Sequence, residues 1–378
     1  MNNLIRPHTG LLALLFTGLV VSTPAVSQIV TVDQQNPRIR VEQVASGLGV
    51  PWGIAFISPT RLLVTERSGS LHLVDIETSE TRRVDGVPRV VADGQGGLLD
   101  VAVGPAQGGE GWIYITYSRP ADSEATTALA RARLDGERLI GWQDLLVADA
   151  VTGTRRHFGS RIAFDDDGHL FFGIGDRGER ENSQDTSNHA GSIMRLNLDG
   201  SVPPDNPFVG DSAVRDEIWS FGHRNPQGLL FDSPTQRLWA IEHGPRGGDE
   251  INLILQGRNY GWPVVSHGKE YWGPVSVGEG SSKPGMEDPR KVYIPSIAPG
   301  SLLLYRGEAF PEWRGDLFSG ALKLRHLNRV SLSADGRAIG EERLLEDLEE
   351  RIRALAESPE GWIYFSTDSG RILRIRPQ

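Results

Sequence analysis

The sequence predicts an all-β protein: a six-bladed β-propeller made of four-stranded antiparallel blades. Three observations carry that expectation. A pair of apolar strand-like runs joined by a turn recurs along the whole chain. Turn-forming residues are abundant, with 45 Gly and 23 Pro among 378 residues. Helical periodicity is almost absent, the best candidate being the short stretch 341–350.

The repeat is diffuse but ordered. Its copies read WGIAFISPTRLLVTE from Trp52, LLDVAVGPAQGGEGWIYITYS from Leu98 and SRIAFDDDGHLFFGIGD from Ser160. They continue as QGLLFDSPTQRLWAIEH from Gln227, GSLLLYRGEAFPEWRGDLFSGA from Gly300 and IRALAESPEGWIYFSTD from Ile352. Further strand-like runs such as SLHLVDI, SIMRLNLDG and RILRIRP follow the copies. Four short strands per unit, repeated radially, make a propeller, and six units make six blades. A sandwich or a pair of all-β domains fits less well, because no low-complexity linker interrupts the repeat. A propeller must close its ring, so residues 38–44 are expected to complete the last blade beside 371–376. Two insertions, 176–191 and 257–295, are expected to rise over one face of the disc, where propellers bind ligands.

Residues 1–27 have a different character. Arg6 precedes the apolar run 11–21, and Ala25-Val26-Ser27 suits cleavage before Gln28. This reads as a secretory signal, with 28–378 as a single catalytic domain in the periplasm or outside the cell. No later run is apolar enough to span a membrane. Removing the leader takes away only Arg6, which leaves 38 positive and 49 negative side chains, a formal −11. Such a balance has no basic footprint and speaks against nucleic acid as the main partner. There is no cysteine, so disulfides are excluded, as is a c-type haem. Any redox function would need another cofactor and a separate electron acceptor.

Candidate chemistry clusters where strands of the repeat begin and end. His157 stands at the entrance of the third copy, and a histidine facing a central cavity suits general-base work because its ordinary pKa lies near neutrality. Arg224 and Asn225, in Gly222–Gly228, occupy the equivalent entrance one copy later. Arginine offers a fixed fork of donors to an anion or a developing oxyanion, and the asparagine amide both donates and accepts. Gly244-Pro245 and the Gly-Gly-Asp-Glu run ending at Glu250 suit a hard cation held by carbonyls and carboxylates, or else a tight turn with solvated acids. Asp165-Asp166-Asp167-Gly168 lacks EF-hand spacing and reads as a hairpin turn. Strand alternation is expected to put Lys323 and Arg325 on one side, and Arg351 and Arg353 on one side, bringing cations towards Arg224.

These residues resemble a known group, the soluble pyrroloquinoline-quinone-dependent aldose and glucose dehydrogenases of the glucose/sorbosone dehydrogenase family. The resemblance covers nearly all of the chain after the leader. It rests on GQGGLLD from Gly94, HFGSR from His157, LNLDGSVPPDNPF from Leu196, GHRNPQG from Gly222, HGPRGGDEINLI from His243, NYGWP from Asn259 and Arg351-Ile352-Arg353. It is nearest to the shorter aldose sugar dehydrogenase branch. It implies a propeller enzyme that oxidises the C1 hydroxyl of aldose sugars to lactones and passes electrons to an external acceptor. By the same resemblance, His157 is the base and Arg224 faces the quinone oxygen. Gln95, His157, Arg224, Asn225, Tyr271, Lys323, Arg351 and Arg353 contact the quinone. The carbonyls of Gly244 and Pro245 hold a calcium at the cofactor, and Glu250 with the Tyr260 carbonyl holds a structural one. Some glucose dehydrogenases carry an aspartate before the catalytic histidine. Here Arg156 stands there, and the group that orients His157 stays open, as does a monomer or dimer state. Two other readings stay open beside this one: a calcium-dependent lactonase-type hydrolase on a similar propeller, and a non-catalytic binding propeller.

Overall fold

The computed structural model describes Met1, residues 28–32 and residues 38–378 apart from 107 and 110. The expected leader otherwise lies outside the described residues. Two strands precede the first blade, β1 (Gln28–Val32) and β2 (Ile39–Ala45). Blade one is β3 (Pro51–Ser58), β4 (Arg61–Glu66), β5 (Leu71–Asp75) and β6 (Thr81–Val84). Blade two is β7 (Leu98–Val103), β8 (Ile113–Ala121), β9 (Glu124–Asp135) and β10 (Arg138–Val147). Blade three is β11 (Ile162–Phe164), β12 (His169–Ile174), β13 (Ser192–Asn197) and β14 (Ile218–Phe221). Blade four is β15 (Pro226–Asp232), β16 (Arg237–Glu242), β17 (Asp249–Ile254) and β18 (Lys291–Tyr293). Blade five is β19 (Leu303–Leu304), β20 (Leu317–Gly320), β21 (Leu327–Leu332) and β22 (Ala338–Leu344). Blade six takes β23 (Ile352–Glu357), β24 (Ile363–Thr367) and β25 (Arg371–Pro377).

The six sheets form the expected six-bladed propeller. The first strand of each blade lies innermost and touches its counterparts on both sides, with β23 meeting β3 to close the ring. Closure is by strand exchange between the two ends of the chain: β2 pairs antiparallel with β25, from Ile39 opposite Pro377 to Ala45 opposite Ile372. Residues 38–44 therefore do the job their position suggests. β1 adds a fifth strand outside β2.

Alternation along each strand explains why the repeat reads as near-continuous apolar runs. Successive side chains point to opposite faces, and both faces of a blade are covered by neighbours. In β4, Leu62 and Val64 pack towards blade six while Leu63 packs towards blade two. In β8, Tyr114 joins the cluster shared with blade three, and Ile113 and Ile115 join the one shared with blade one. Among the described residues, each pair of neighbouring blades thus shares an apolar wedge, and inner strands such as β4 and β8 contribute to two.

The stretch 341–350 is not a helix. It is the end of β22, antiparallel to β21, followed by a 3-10 turn at Glu346–Leu348. The outermost strand of a blade faces solvent, and β22 is exposed over most of its length, so it carries charges where an inner strand carries apolar residues. Residues 321–326 are likewise a turn rather than a strand, closed by hydrogen bonds from Arg325 N–H to the Ala321 carbonyl and from Ala321 N–H to the His326 carbonyl. Strand alternation therefore does not apply to Lys323 and Arg325.

Candidate active site

Antiparallel pairing fixes where function gathers. The entrance of a blade's first strand and the exit of its second lie at the same end of the disc. Gln95, His157, Arg224 and Arg351 sit at entrances, before β7, β11, β15 and β23; Arg67, Asp176, His243 and Asp368 sit at exits, after β4, β12, β16 and β24. Both insertions reach this end. Residues 255–290 leave the opposite end, climb beside Phe221 through a parallel bridge with Asn259 and meet the other insertion through Gln184, which donates to the Trp262 carbonyl at 2.7 Å, and through the Arg180–Glu270 ion pair.

His157 is buried and has φ of +58°, a left-handed conformation that costs a non-glycine residue free energy and persists where its surroundings enforce it. The enforcement is visible. Its N–H donates to Gln95 Oε1 at 2.7 Å, and its Nδ1 meets Asp176 Oδ1 at 2.5 Å. Asp176 also accepts from Gly178 N–H at 2.6 Å and from Trp262 Nε1–H at 2.8 Å. Burial pulls the His157 pKa below its ordinary value, against the Asp176 hydrogen bond and with help from the nearby Arg224 charge. Burial pushes Asp176 up, but the His157 hydrogen bond and charge, Arg224 and the Gly178 N–H outweigh it and the pKa is lowered. A neutral imidazole beside a carboxylate donates Nδ1–H to it and leaves the Nε2 lone pair free. The orienting carboxylate absent at position 156 is supplied by Asp176, at the exit of β12.

Arg224 is buried, with its Nη1 donating to the His243 carbonyl at 3.1 Å. Nη2 reaches the hydroxyl of Tyr271 at 3.5 Å, and the guanidinium lies 5.2 Å from the Trp262 ring centre. No carboxylate is paired with its side chain among the described residues, and Nε has no partner. Its backbone is fixed from behind by Glu242, which accepts from Arg224 N–H at 2.7 Å. Asn225 is fully buried, its Oδ1 accepting from Gly159 N–H at 3.3 Å and from Gln227 Nε2–H at 3.2 Å.

A cavity of about 300 Å³ opens among these groups, lined in part by Gln95, Arg351, Arg353 and Arg67, by His243, and by the rings of Trp52 and Phe158. Its lining holds three arginines and no carboxylate. Asp368 stands behind Arg351 and Arg353 and pairs with both, at 2.8 and 2.6 Å, which confirms that the two arginines share a side. His243 donates Nε2–H to the Pro299 carbonyl at 2.8 Å, and burial pushes its pKa down to about 3, so it contributes a neutral ring. Lys323 is exposed on its turn beside Leu322 and is not part of this lining.

A second cavity of about 20 Å³, room for one ion or one water, is bordered by Arg224, Glu242, His243, Gly244, Pro245, Glu250 and Tyr260. The four residues expected to hold cations thus share one small space. Glu250 and Glu242 are opposite each other on β17 and β16, and burial together with the Glu242 charge pushes the Glu250 carboxyl up to about 8. Asn252 donates to both acids, and its Oδ1 is buried without a partner. Among the described residues, no hydrogen bond reaches the carbonyl oxygens of Gly244 or Tyr260. Crowded acids, an orphaned amide oxygen and free carbonyls fit a hard cation. Among the described residues no three His, Asp or Glu side chains converge as a metal site, so any such ion would rely on backbone oxygens.

The profile of the Glucose / Sorbosone dehydrogenase family matches residues 48–374. The aldose sugar dehydrogenase YliI of Escherichia coli (strain K12) is 36% identical over 348 residues, covering 90% of this chain and 93% of that one. The quinoprotein glucose dehydrogenase B of Acinetobacter calcoaceticus is 31% identical over 294 residues, 68% of this chain and 60% of its own. The PQQ-bound aldose sugar dehydrogenase of Streptomyces coelicolor superposes with a TM-score of 0.75 at 28% identity, covering 90% of this chain and 98% of that one. The chain is a sugar dehydrogenase and belongs to the Glucose / Sorbosone dehydrogenase family.

Proposed function

We propose that this protein oxidises the C1 hydroxyl of aldose sugars to lactones with pyrroloquinoline quinone in the 300 Å³ cavity and calcium in the 20 Å³ one. The observation that carries the reading is the His157–Asp176 pair set beside a cavity whose charged lining is entirely cationic. Arg351 and Arg353, with Gln95, would hold a flat polycarboxylate in the cavity that Trp52 and Phe158 also line. When bound, the quinone supplies the two-electron oxidant for C1–H, and calcium supplies charge that polarises it. His157 takes the anomeric hydroxyl proton on Nε2. Asp176 keeps Nδ1–H in place and stabilises the imidazolium that forms. Arg224 presents an unpartnered Nε–H to the negative charge that grows as the C1–H bond breaks. The sugar would give its hydroxyl proton to His157 and its C1 hydrogen, with the two bonding electrons, to the oxidant, and become a lactone. An external acceptor then removes the electrons. The leader-like segment 1–27 supports export to the periplasm or beyond. A hydrolase built on one metal would need converging side-chain ligands, and the cationic lining favours the quinone reading.

The test is reconstitution. Purified apo-protein is mixed with the quinone and calcium and assayed on several aldoses with a dye acceptor. Dye reduction that needs both additions is expected; no quinone binding, or binding without dye reduction, ends the proposal. His157→Ala should bind quinone and lose about 10²- to 10⁴-fold in turnover. In the parent enzyme kcat/KM should hold steady below pH 6.5 and fall only as pH drops through the lowered His157 pKa, because the base works unprotonated.

A further inference from the structure

Blade one contributes to the large cavity with a residue that no motif above singles out. Arg67 follows β4 directly and lines that cavity. It occupies the second-strand exit, the station held by Asp176, His243 and Asp368 in blades three, four and six. In the ring, blade one lies opposite blade four, whose Arg224 borders the smaller cavity while Arg67 lines the larger one.

Its electrostatic situation differs from that of its neighbours. Arg351 and Arg353 share the single carboxylate of Asp368, and Arg155 nearby pairs with Asp93. Arg67 has no ion pair or side-chain hydrogen bond among the described residues. The adjacent acid is spent elsewhere: Glu66 accepts from Gly49 N–H at 2.8 Å and from Ser68 Oγ–H at 3.0 Å. The Arg67 backbone and the root of its side chain are closely packed. Gly97 has φ of +150°, and a Cβ there would come within 1.8 Å of the Arg67 carbonyl oxygen and 2.8 Å of its Cγ. The glycine that ends Gly94-Gln95-Gly96-Gly97 therefore lets blade two close on Arg67.

We infer that Arg67 is an anion-binding residue of the cofactor cavity, receiving a carboxylate of the quinone on the side away from Arg224. This rests on the reading of the cavity as a quinone site. An unpaired guanidinium lining this space is suited to a bidentate carboxylate contact, and it is the least neutralised of the three lining arginines.

The experiment is a titration of calcium-loaded apo-protein with pyrroloquinoline quinone, followed by quenching of tryptophan fluorescence and checked by equilibrium dialysis. Arg67→Ala should raise Kd about ten- to a hundredfold, and Arg67→Lys by less. The Kd of Arg67→Ala should also rise less steeply with added salt than that of wild type. Should Arg67→Ala not fold, Arg67→Gln keeps most of the stem, removes the charge and carries the same expectation. Equal affinity of the neutral variant and wild type overturns the role of Arg67. Failure of wild type to bind the quinone overturns the parent reading instead, so the two failures are told apart.

Discussion

The two ends of the disc are built from the same kinds of residue and use them in opposite ways. At the end away from the site, turns join first strands to second and third strands to fourth. Asp165 there accepts from the N–H groups of Asp167 and His169, and Asp166 accepts from Ser233 and Gln236 of the next blade. Arg82 bridges Glu80 and Glu137 with all three side chains about half exposed. Each of these acids has a partner, and all but Asp165, whose side chain is 9% exposed and pairs with His169, are open to solvent. At the site end, Asp176, Asp100 and Glu242 are buried, and their partners are His157, Arg161 and His223, brought from other parts of the chain. Residue type does not separate a turn carboxylate from one at the site. The strand end at which it sits does.

Replacements at each end sharpen the contrast. Asp176→Asn offers His157 Nδ1 an amide in place of a carboxylate and destabilises the imidazolium. Turnover should fall by up to about 10⁴-fold while quinone affinity stays near wild type; steady-state kinetics on the reconstituted enzyme measure it, and a loss under tenfold would detach Asp176 from the base. Next is Arg161, which is buried against Asp100 at 2.7 Å, donates to the carbonyls of Trp52, Gln227 and Gly300, and lies 4.1 Å from the Trp52 ring centre. It ties blades one to five together at the axis. Arg161→Met strands the Asp100 carboxylate and should cost about 3–5 kcal/mol in urea unfolding; a near-neutral result would show that the axis is held by packing alone. Smallest is Arg82→Ala, an exposed pair at the far end. Its melting temperature and kinetics should match wild type, and a clear shift in either would blur the distinction between the two ends.

Much of this was legible from residues alone, for physical reasons. A blade buried on both faces writes its strands as apolar runs, and six such pairs announce six blades. His157 and Arg224 stand out because the glycines and proline around them mark loop ends. Asp176 does not stand out. It lies 19 positions from its partner, at the end of a strand run that looks complete, and only the pairing of β11 with β12 brings the two together. Counting strand exits, as His243 invites, would have found it, and Arg67 with it. The misplacing of Lys323 and Arg325 has the opposite cause: Ala-Leu-Lys-Leu-Arg alternates like a strand, yet a left-handed Arg325, with φ of +55°, folds it into a turn. Asn225, expected at the ligand, is fully buried and pins Gly159 and Gln227, two residues of the large cavity's lining.

The pairing of β2 with β25 has a consequence for how the protein comes into being. A ribosome makes Ile39 long before Pro377, its partner in the ladder, so β2 has no β25 to pair with until synthesis is nearly finished. Contacts this distant in sequence are costly to form and slow to find. The 300 Å³ cavity spans the blades on either side of the closure, with Trp52 and Arg67 from blade one and Arg351 and Arg353 from blade six. A ligand bridging those residues would bind the closed ring better than the open one and so hold the chain's two ends together.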